Sequence, residues 1–242
     1  MNGSWTRRPL VLVAHGTRSD AGTALIGRLA DAVSRRLPGV AVRTAFVDVR
    51  RPSVADALGS LPACAGRPVV VPAFLAAGYH VLSDLPAQVL DTGVEAVVTP
   101  LLGPDPLVVA AAADRLYRAG WRPGDAVVLG AAGSRDPRAR ADLEEAAVLL
   151  GRRLGTPVHP GYLASGQPNA VDLITSLRGS GHRVAAASWL LAPGLFHQRL
   201  VDSGAEVVSE PLGVHAGVVR ALVSRYRAAL ADSGELPTSA AS

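Results

Sequence analysis

Leu10-Val-Leu-Val-Ala-His15-Gly-Thr-Arg18 and Val127-Val-Leu-Gly-Ala-Ala132-Gly-Ser-Arg135 are one pattern written twice. Each apolar run leads into the frame Ala-x-Gly-Thr/Ser-Arg, and only the first copy has a histidine at the variable place. The match continues outward from these stretches. Phe46-Val-Asp48-Val-Arg-Arg-Pro52 aligns with Tyr162-Leu-Ala164-Ser-Gly-Gln-Pro168. Phe74-Leu-Ala-Ala-Gly78-Tyr-His80 aligns with Leu190-Leu-Ala-Pro-Gly194-Leu-Phe-His197, and the Gly93–Gly103 stretch with Gly204–Gly213. The interval between partners hardly changes, which marks a tandem duplication within one chain. Features kept by both halves are candidates for architecture. Features kept by one half, such as His15 against Ala132 and Asp48 against Ala164, are candidates for chemistry.

The repeat divides the 242 residues into an N-terminal lobe over 1–120, a C-terminal degenerate lobe over 121–232 and a disordered Ser/Ala/Pro-rich tail over 233–242. Each lobe is long enough for a modest core of its own, helped by packing on its twin. Hydrophobic residues make up 49% and charged residues 18%, as in a well-buried globular protein. Aromatics are only 4%, so Ala, Val and Leu must build the core. The net charge of +4 comes without a basic run or an aromatic-interleaved basic stripe, which excludes nucleic acid as the expected partner and suits a small polyanion. The single Cys64 excludes an intramolecular disulfide framework and a cysteine metal cluster. With no signal-like apolar region at the N-terminus, it points to the cytoplasm. No window is apolar enough for a membrane span.

Short apolar runs alternate with amphipathic stretches. Strands are expected over Leu10–Ala14, Val40–Val47, Pro68–Phe74 and Glu95–Leu101. Helices are expected over Asp20–Leu37, Ser53–Leu61 with Ser53 as N-cap, Ala77–Leu90 and Pro106–Ala119. The same order then repeats to Leu230. The fold class is therefore α/β: two tandem lobes of βαβα repeats, each a parallel four-stranded sheet covered by helices, related by a pseudo-twofold axis. Ligands of such sheets bind beyond the carboxyl ends of the strands. His15 and Asp48 directly follow strands one and two, and His80 follows strand three after a short turn, so all three converge on one crevice.

Two neutral imidazoles and a carboxylate can hold a divalent first-row metal and leave positions open for a substrate. Binding then weakens as the imidazoles protonate. Gly16 and Gly78 let a ligand approach the backbone. Arg18 and Arg135 fill the same place in both copies, as a helix-entry or inter-lobe ion pair or as forks for a bound anion's carboxylates. Asp84 is a candidate to orient His80, with a solvated or capping role as the plainer alternative. His159, His182 and His215 receive no role. The absence of a Gly-x-Gly-x-x-Gly or Walker lysine motif leaves no nucleotide site.

Val13-Ala-His15-Gly-Thr-Arg18, Phe46-x-Asp48-x-x-x-Pro52 and Phe74-Leu-x-x-Gly78-x-His80-x-x-x-Asp84-x-Pro86 together resemble the CbiX/SirB family of sirohydrochlorin chelatases, class II chelatases related in fold to ferrochelatase. The resemblance covers about residues 9–230 and the two-lobed long form. It implies a lyase that inserts cobalt or iron, with nickel a third candidate, into sirohydrochlorin and releases two pyrrole protons, in sirohaem or cobalamin biosynthesis. The family's two active-site histidines fall on His15 and His80, as metal holders and proton acceptors. Asp48 stands where the family often has Glu, as a metal contact or as a proton-relay or positioning group. The eight carboxylates of the substrate would be anchored by Arg18, Arg50 and Arg135. Gly16 and Gly78 would line the site, and His197 is a lid or accessory candidate. No organic cofactor is implied. The expected assembly is a monomer whose lobes mimic a dimer. Three other readings remain: a metal or tetrapyrrole carrier using the same cleft, a His-Gly phosphohydrolase (which expects Arg where Ala14 stands), and a structural paralogue.

Overall fold

The computed structural model describes residues 8–62, 65–78 and 83–232. Four parallel strands, β1 (Leu10–Ala14), β2 (Val42–Phe46), β3 (Val69–Pro72) and β4 (Val97–Val98), lie in the order β2-β1-β3-β4. A second parallel sheet repeats this order as β6-β5-β7-β8, built from β5 (Ala126–Gly133), β6 (Val158–Ser165), β7 (Val184–Trp189) and β8 (Val207–Val208). Helices alternate with the strands: α1 (Asp20–Arg36), α2 (Val54–Gly59), α3 (Leu85–Asp91) and α4 (Pro106–Arg118), then α5 (Pro137–Leu154), α6 (Ala170–Gly179), α7 (Leu195–Val201) and α8 (Ala216–Ala231). The α/β fold read from the sequence is the fold observed.

Strand alternation feeds three cores. Leu10, Leu12 and Ala14 of β1 face a large central core, while Val11 and Val13 face an outer one with α2 and α3. In the twin, Val127, Leu129 and Ala131 face the same central core, and Val128 faces the layer of α6 and α7. A strand covered on both sides must be apolar at every position, which accounts for the unbroken runs. The central core belongs to both lobes, with α1, α4, α5 and α8 between the sheets. Here α4 packs on β7 and α8 on β3, so the last helix of each lobe lies against the third strand of the other. Ala111, Ala112 and Ala113 of α4 are all buried at this junction. Methyl side chains let a helix sit close to several neighbours at once, a use for alanine that explains how so few aromatics suffice.

One polar contact is made twice across the junction. Arg115 donates to the Leu212 carbonyl at 3.2 Å, and its repeat partner Arg225 donates to the Leu101 carbonyl at 3.1 Å. Leu101 and Leu212 are themselves repeat partners. Such reciprocity defines an isologous interface, here made within a single chain. Near the axis, a Cβ added at Gly217 would land on the Leu107 carbonyl oxygen, so the helix crossing requires glycine there. His215, without an assigned role in the sequence reading, stitches the same junction. Its Nδ1 caps α8 by accepting the Gly217 N–H at 3.0 Å, and its Nε2 donates to Asp114 of α4 at 3.0 Å. That hydrogen bond, with help from Arg118, holds the Asp114 carboxyl below its ordinary range.

Several expected boundaries move, that of β3 among them: it is Val69–Pro72 instead of Pro68–Phe74. The helix expected over Ala77–Leu90 is α-helical over Leu85–Asp91, with residues 83–84 in a π-helical turn before it. Ala77 donates its N–H to Asp142 and Gly78 to the Ala76 carbonyl, so neither is helical. Pro86, which has no N–H, fits only the first turn of a helix. β4 is Val97–Val98 instead of Glu95–Leu101, because Pro100 cannot continue a ladder. β2 is likewise shorter than Val40–Val47. The α2 cap is as expected: Ser53 accepts from Asp56 N–H, and Asp56 reaches back to Ser53 N–H. The tail over 233–242 lies outside the described residues. Among the described residues no helix is long and apolar enough to cross a membrane.

Glu206 gives the second sheet a pH-sensitive clasp. Its carboxylate accepts the Val184 N–H at the start of β7 and pairs with Arg178, which lowers its pKa from 4.5 to about 2. A depressed carboxyl stabilises the fold above its unfolded pKa, and that contribution is lost as pH falls from 4.5 towards about 2. Glu206→Gln is therefore expected to lower the thermal midpoint at neutral pH and to flatten its decline across that acid window. Thermal melts of both proteins at stepped pH check this.

Candidate active site

Because β1 and β2 are parallel neighbours, the residues that follow them leave the same sheet edge. His15 comes directly after β1 and Asp48 two residues after β2, and the Asp48 N–H donates to the His15 carbonyl at 3.0 Å. The two loops pack so closely that a Cβ on Gly16 would fall on the Asp48 carbonyl oxygen, and Gly16 has φ +102°. Its twin Gly133 has φ +112° and faces the Ser165 carbonyl in the same way. Gly16, expected to admit a ligand, is thus required by its neighbouring loop in both lobes.

Other details of this turn also recur. Thr17 Oγ1 accepts from Ser19 N–H at 3.2 Å, and Ser134 Oγ accepts from Asp136 N–H at 3.1 Å. Ser19 then caps α1, and Asp136 caps α5. Arg50 occurs in the first lobe alone, against Gly166. Its guanidinium donates to the Thr17 and Arg18 carbonyls, each at 2.6 Å, and to Asp20 at 2.8 Å. The expected carboxylate anchor is here a brace that holds the His15 turn against the Asp48 turn. Between them Val49 takes φ +51°, the one non-glycine positive φ among the described residues. That conformation is costly for a β-branched side chain. Asp48 accepts the Val49 N–H at 2.7 Å, and the Arg50 N–H closes on the Asp48 carbonyl at 2.7 Å.

The His15 side chain is exposed at the sheet edge, with its ring edge-on to Phe74 at 6.5 Å and 60°. The repeat partner of Phe74 is Leu190, so the second lobe lost the aromatic together with the histidine. That paired loss was legible in the sequence and marks Phe74, which had no assigned role, as support for His15. The Phe74 carbonyl accepts from Leu102 at 2.9 Å and Gly103 at 3.1 Å. Gly78 closes this loop beside Ser134 of the other lobe, so the edge carrying His15 faces the second lobe's first turn. Arg18 and Arg135 are exposed, with no ion pair among the described residues. His197 on α7 is half-buried, its Nε2 bonded to the Ser209 carbonyl at 3.2 Å. His80 lies outside the described residues, as does Cys64. Among the described residues no three metal-ligating side chains form a cluster. His15 and Asp48 are the described members of the expected set.

A doubled α/β chain with a histidine-bearing strand edge in one lobe has the architecture of a two-lobed chelatase. The family model named CbiX matches it twice, over residues 9–119 and 126–229, and the chain belongs to that family. It is 35% identical over 88 residues to a sirohydrochlorin cobaltochelatase of Methanothermobacter thermautotrophicus, covering 36% of this chain and 61% of that protein. A second sirohydrochlorin cobaltochelatase, from Methanococcoides burtonii, is 24% identical over 78 residues, covering 32% of this chain and 60% of that one. The matched segment thus spans about three-fifths of these curated relatives. In fold it is similar to SirB from Bacillus subtilis with Fe3+: TM-score 0.81 at 22% identity, covering 95% of this chain and 98% of SirB. The cobalt complex of SirB from Bacillus subtilis subspecies spizizenii gives 0.74 at 20% identity, covering 92% and 94%.

Proposed function

We propose that this chain inserts a divalent metal, cobalt or iron, into sirohydrochlorin. The observation that carries the reading is His15, exposed at a sheet edge of a CbiX-family lobe whose twin has Ala132 there. The curated relatives are sirohydrochlorin cobaltochelatases, and related folds hold iron and cobalt, which supports both metals as substrates.

In this reading the macrocycle lies between the lobes, with its carboxylates paired to Arg18 and Arg135. Arg50 keeps the His15 and Asp48 turns in register. His15 and, from its place in the sequence motif, His80 present the metal to one face of the ring. As metal–nitrogen bonds form, two pyrrole N–H bonds break, and the protons pass to neutral imidazole and on to water or Asp48. Holding metal and macrocycle face to face supplies much of the acceleration. The enzyme works as a cytoplasmic monomer, its second lobe supplying the opposite wall.

The test is anaerobic mixing of the protein with excess sirohydrochlorin and Co2+ or Fe2+, followed through the macrocycle's visible spectrum. Many turnovers per chain, faster than the protein-free mixture, support the reading, and the faster metal identifies the preferred substrate. Tight macrocycle binding without turnover favours a carrier instead.

A further inference from the structure

The junction between the lobes is symmetric in shape, but some polar contacts across it are made on one side only: His215 with Asp114 is one, and the contact nearest the His15 edge is another. Asp142, on α5 of the second lobe, accepts the Ala77 N–H at 2.6 Å. The partners are 65 positions apart, and the contact is partly buried. By the repeat, the counterpart of Asp142 is Leu25, 7% exposed in the central core. The counterpart of Ala77 is Pro193, which has no N–H to donate. The mirrored surfaces do meet, since the Pro193 carbonyl lies 3.4 Å from a Cβ built at Gly22 of α1. Sequence changes at both ends therefore leave the hydrogen bond only where it reaches the loop of the lobe that carries His15.

That loop bears on the site. It leaves β3 after Pro72 and places Phe74 against the His15 ring. Its first part is fixed to its own lobe by the Leu102 and Gly103 N–H groups on the Phe74 carbonyl. Its later part is fixed to the second lobe by Asp142. Hydrogen bonds to an ionised carboxylate are the shorter and stronger kind, and Asp142 has no ion pair among the described residues. The second lobe, which lost the histidine, carries a carboxylate that the first lobe lacks.

We infer that Asp142 is a positioning residue through which the second lobe sets the geometry of the first lobe's site; the inference rests on the metal-insertion reading for its kinetic arm alone. The hydrogen bond to Ala77 fixes the 73–78 loop and, through Phe74, the orientation of His15. In Asp142→Ala, amide exchange in the peptide spanning 74–78 is expected to quicken by about tenfold. In the Co2+ insertion assay, kcat should fall by about tenfold with the KM for sirohydrochlorin and the thermal midpoint unchanged. Asp142→Asn keeps an acceptor oxygen and should restore most of both properties. It also serves if the alanine variant folds poorly.

Unchanged exchange in the alanine variant overturns the tether. Faster exchange with an unchanged kcat overturns the positioning role. An asparagine variant as slow as the alanine one overturns the hydrogen bond as its means. Wild-type protein without turnover would sink the metal-insertion reading. The tether is then decided by exchange, and its hold on His15 by whether Asp142→Ala weakens Co2+ binding to the protein alone; unchanged binding overturns it.

Discussion

Replacing His15 by alanine is expected to lower kcat/KM for metal insertion by about a thousandfold while leaving the fold intact. The ring is exposed and its contact with Phe74 is edge-on, so truncation opens no core cavity. The backbone contact that joins the two loops runs through the His15 carbonyl, which alanine keeps. The second lobe already has alanine at the matching place, Ala132, in a turn of the same design. In the proposed reading, removing the imidazole takes away both a metal ligand and a proton acceptor. His197→Ala is the matched control. That ring is bonded to the Ser209 carbonyl, and its loss should cost far less activity. Spectroscopic insertion rates with melting curves on the same samples separate loss of chemistry from loss of fold. A His15 variant with near wild-type rates would move the site elsewhere.

Gly16→Ala is expected to be the most damaging small substitution, and Gly133→Ala should match it. Each would place a methyl group on a carbonyl oxygen of the adjacent loop, from a backbone with φ above +100°. Neither loop can retreat easily: one is braced by Arg50, and the other is tied into the β5–β6 ladder. The cost should be about 3 kcal/mol in each case. For a chain of this size that is a fall in thermal midpoint of about 6–12 °C. The equality matters as much as the magnitude, because the proposal assigns the glycine of both lobes to architecture and the histidine of one lobe to chemistry. A harmless Gly133→Ala beside a crippling Gly16→Ala would break that division.

Much of the fold was legible because its signals are local. The unbroken run Leu10–Ala14 reads as a strand covered on both faces, and Ser53 with Asp56 announces a capped helix. Ala77 was read as helical and is not, because the partner of its N–H lies on the other lobe. The site divides in the same way. The placement of His15 and Asp48 at one edge follows from strand order alone. The bracing by Arg50 does not, since three acceptors around one guanidinium are a tertiary fact. His215 read as a stray loop histidine because its cap is local but its Asp114 partner is not. Comparison of the halves reaches some of this: Phe74 against Leu190, and Ala77 against Pro193, were visible before any coordinate.

The most direct test of the central claim, one working site per chain in the first lobe, is anaerobic calorimetric titration of the protein with Co2+. The expected result is one equivalent bound per chain in wild type, abolished by His15→Ala and preserved in His197→Ala. Two equivalents in wild type, or undiminished binding after loss of His15, would contradict the account.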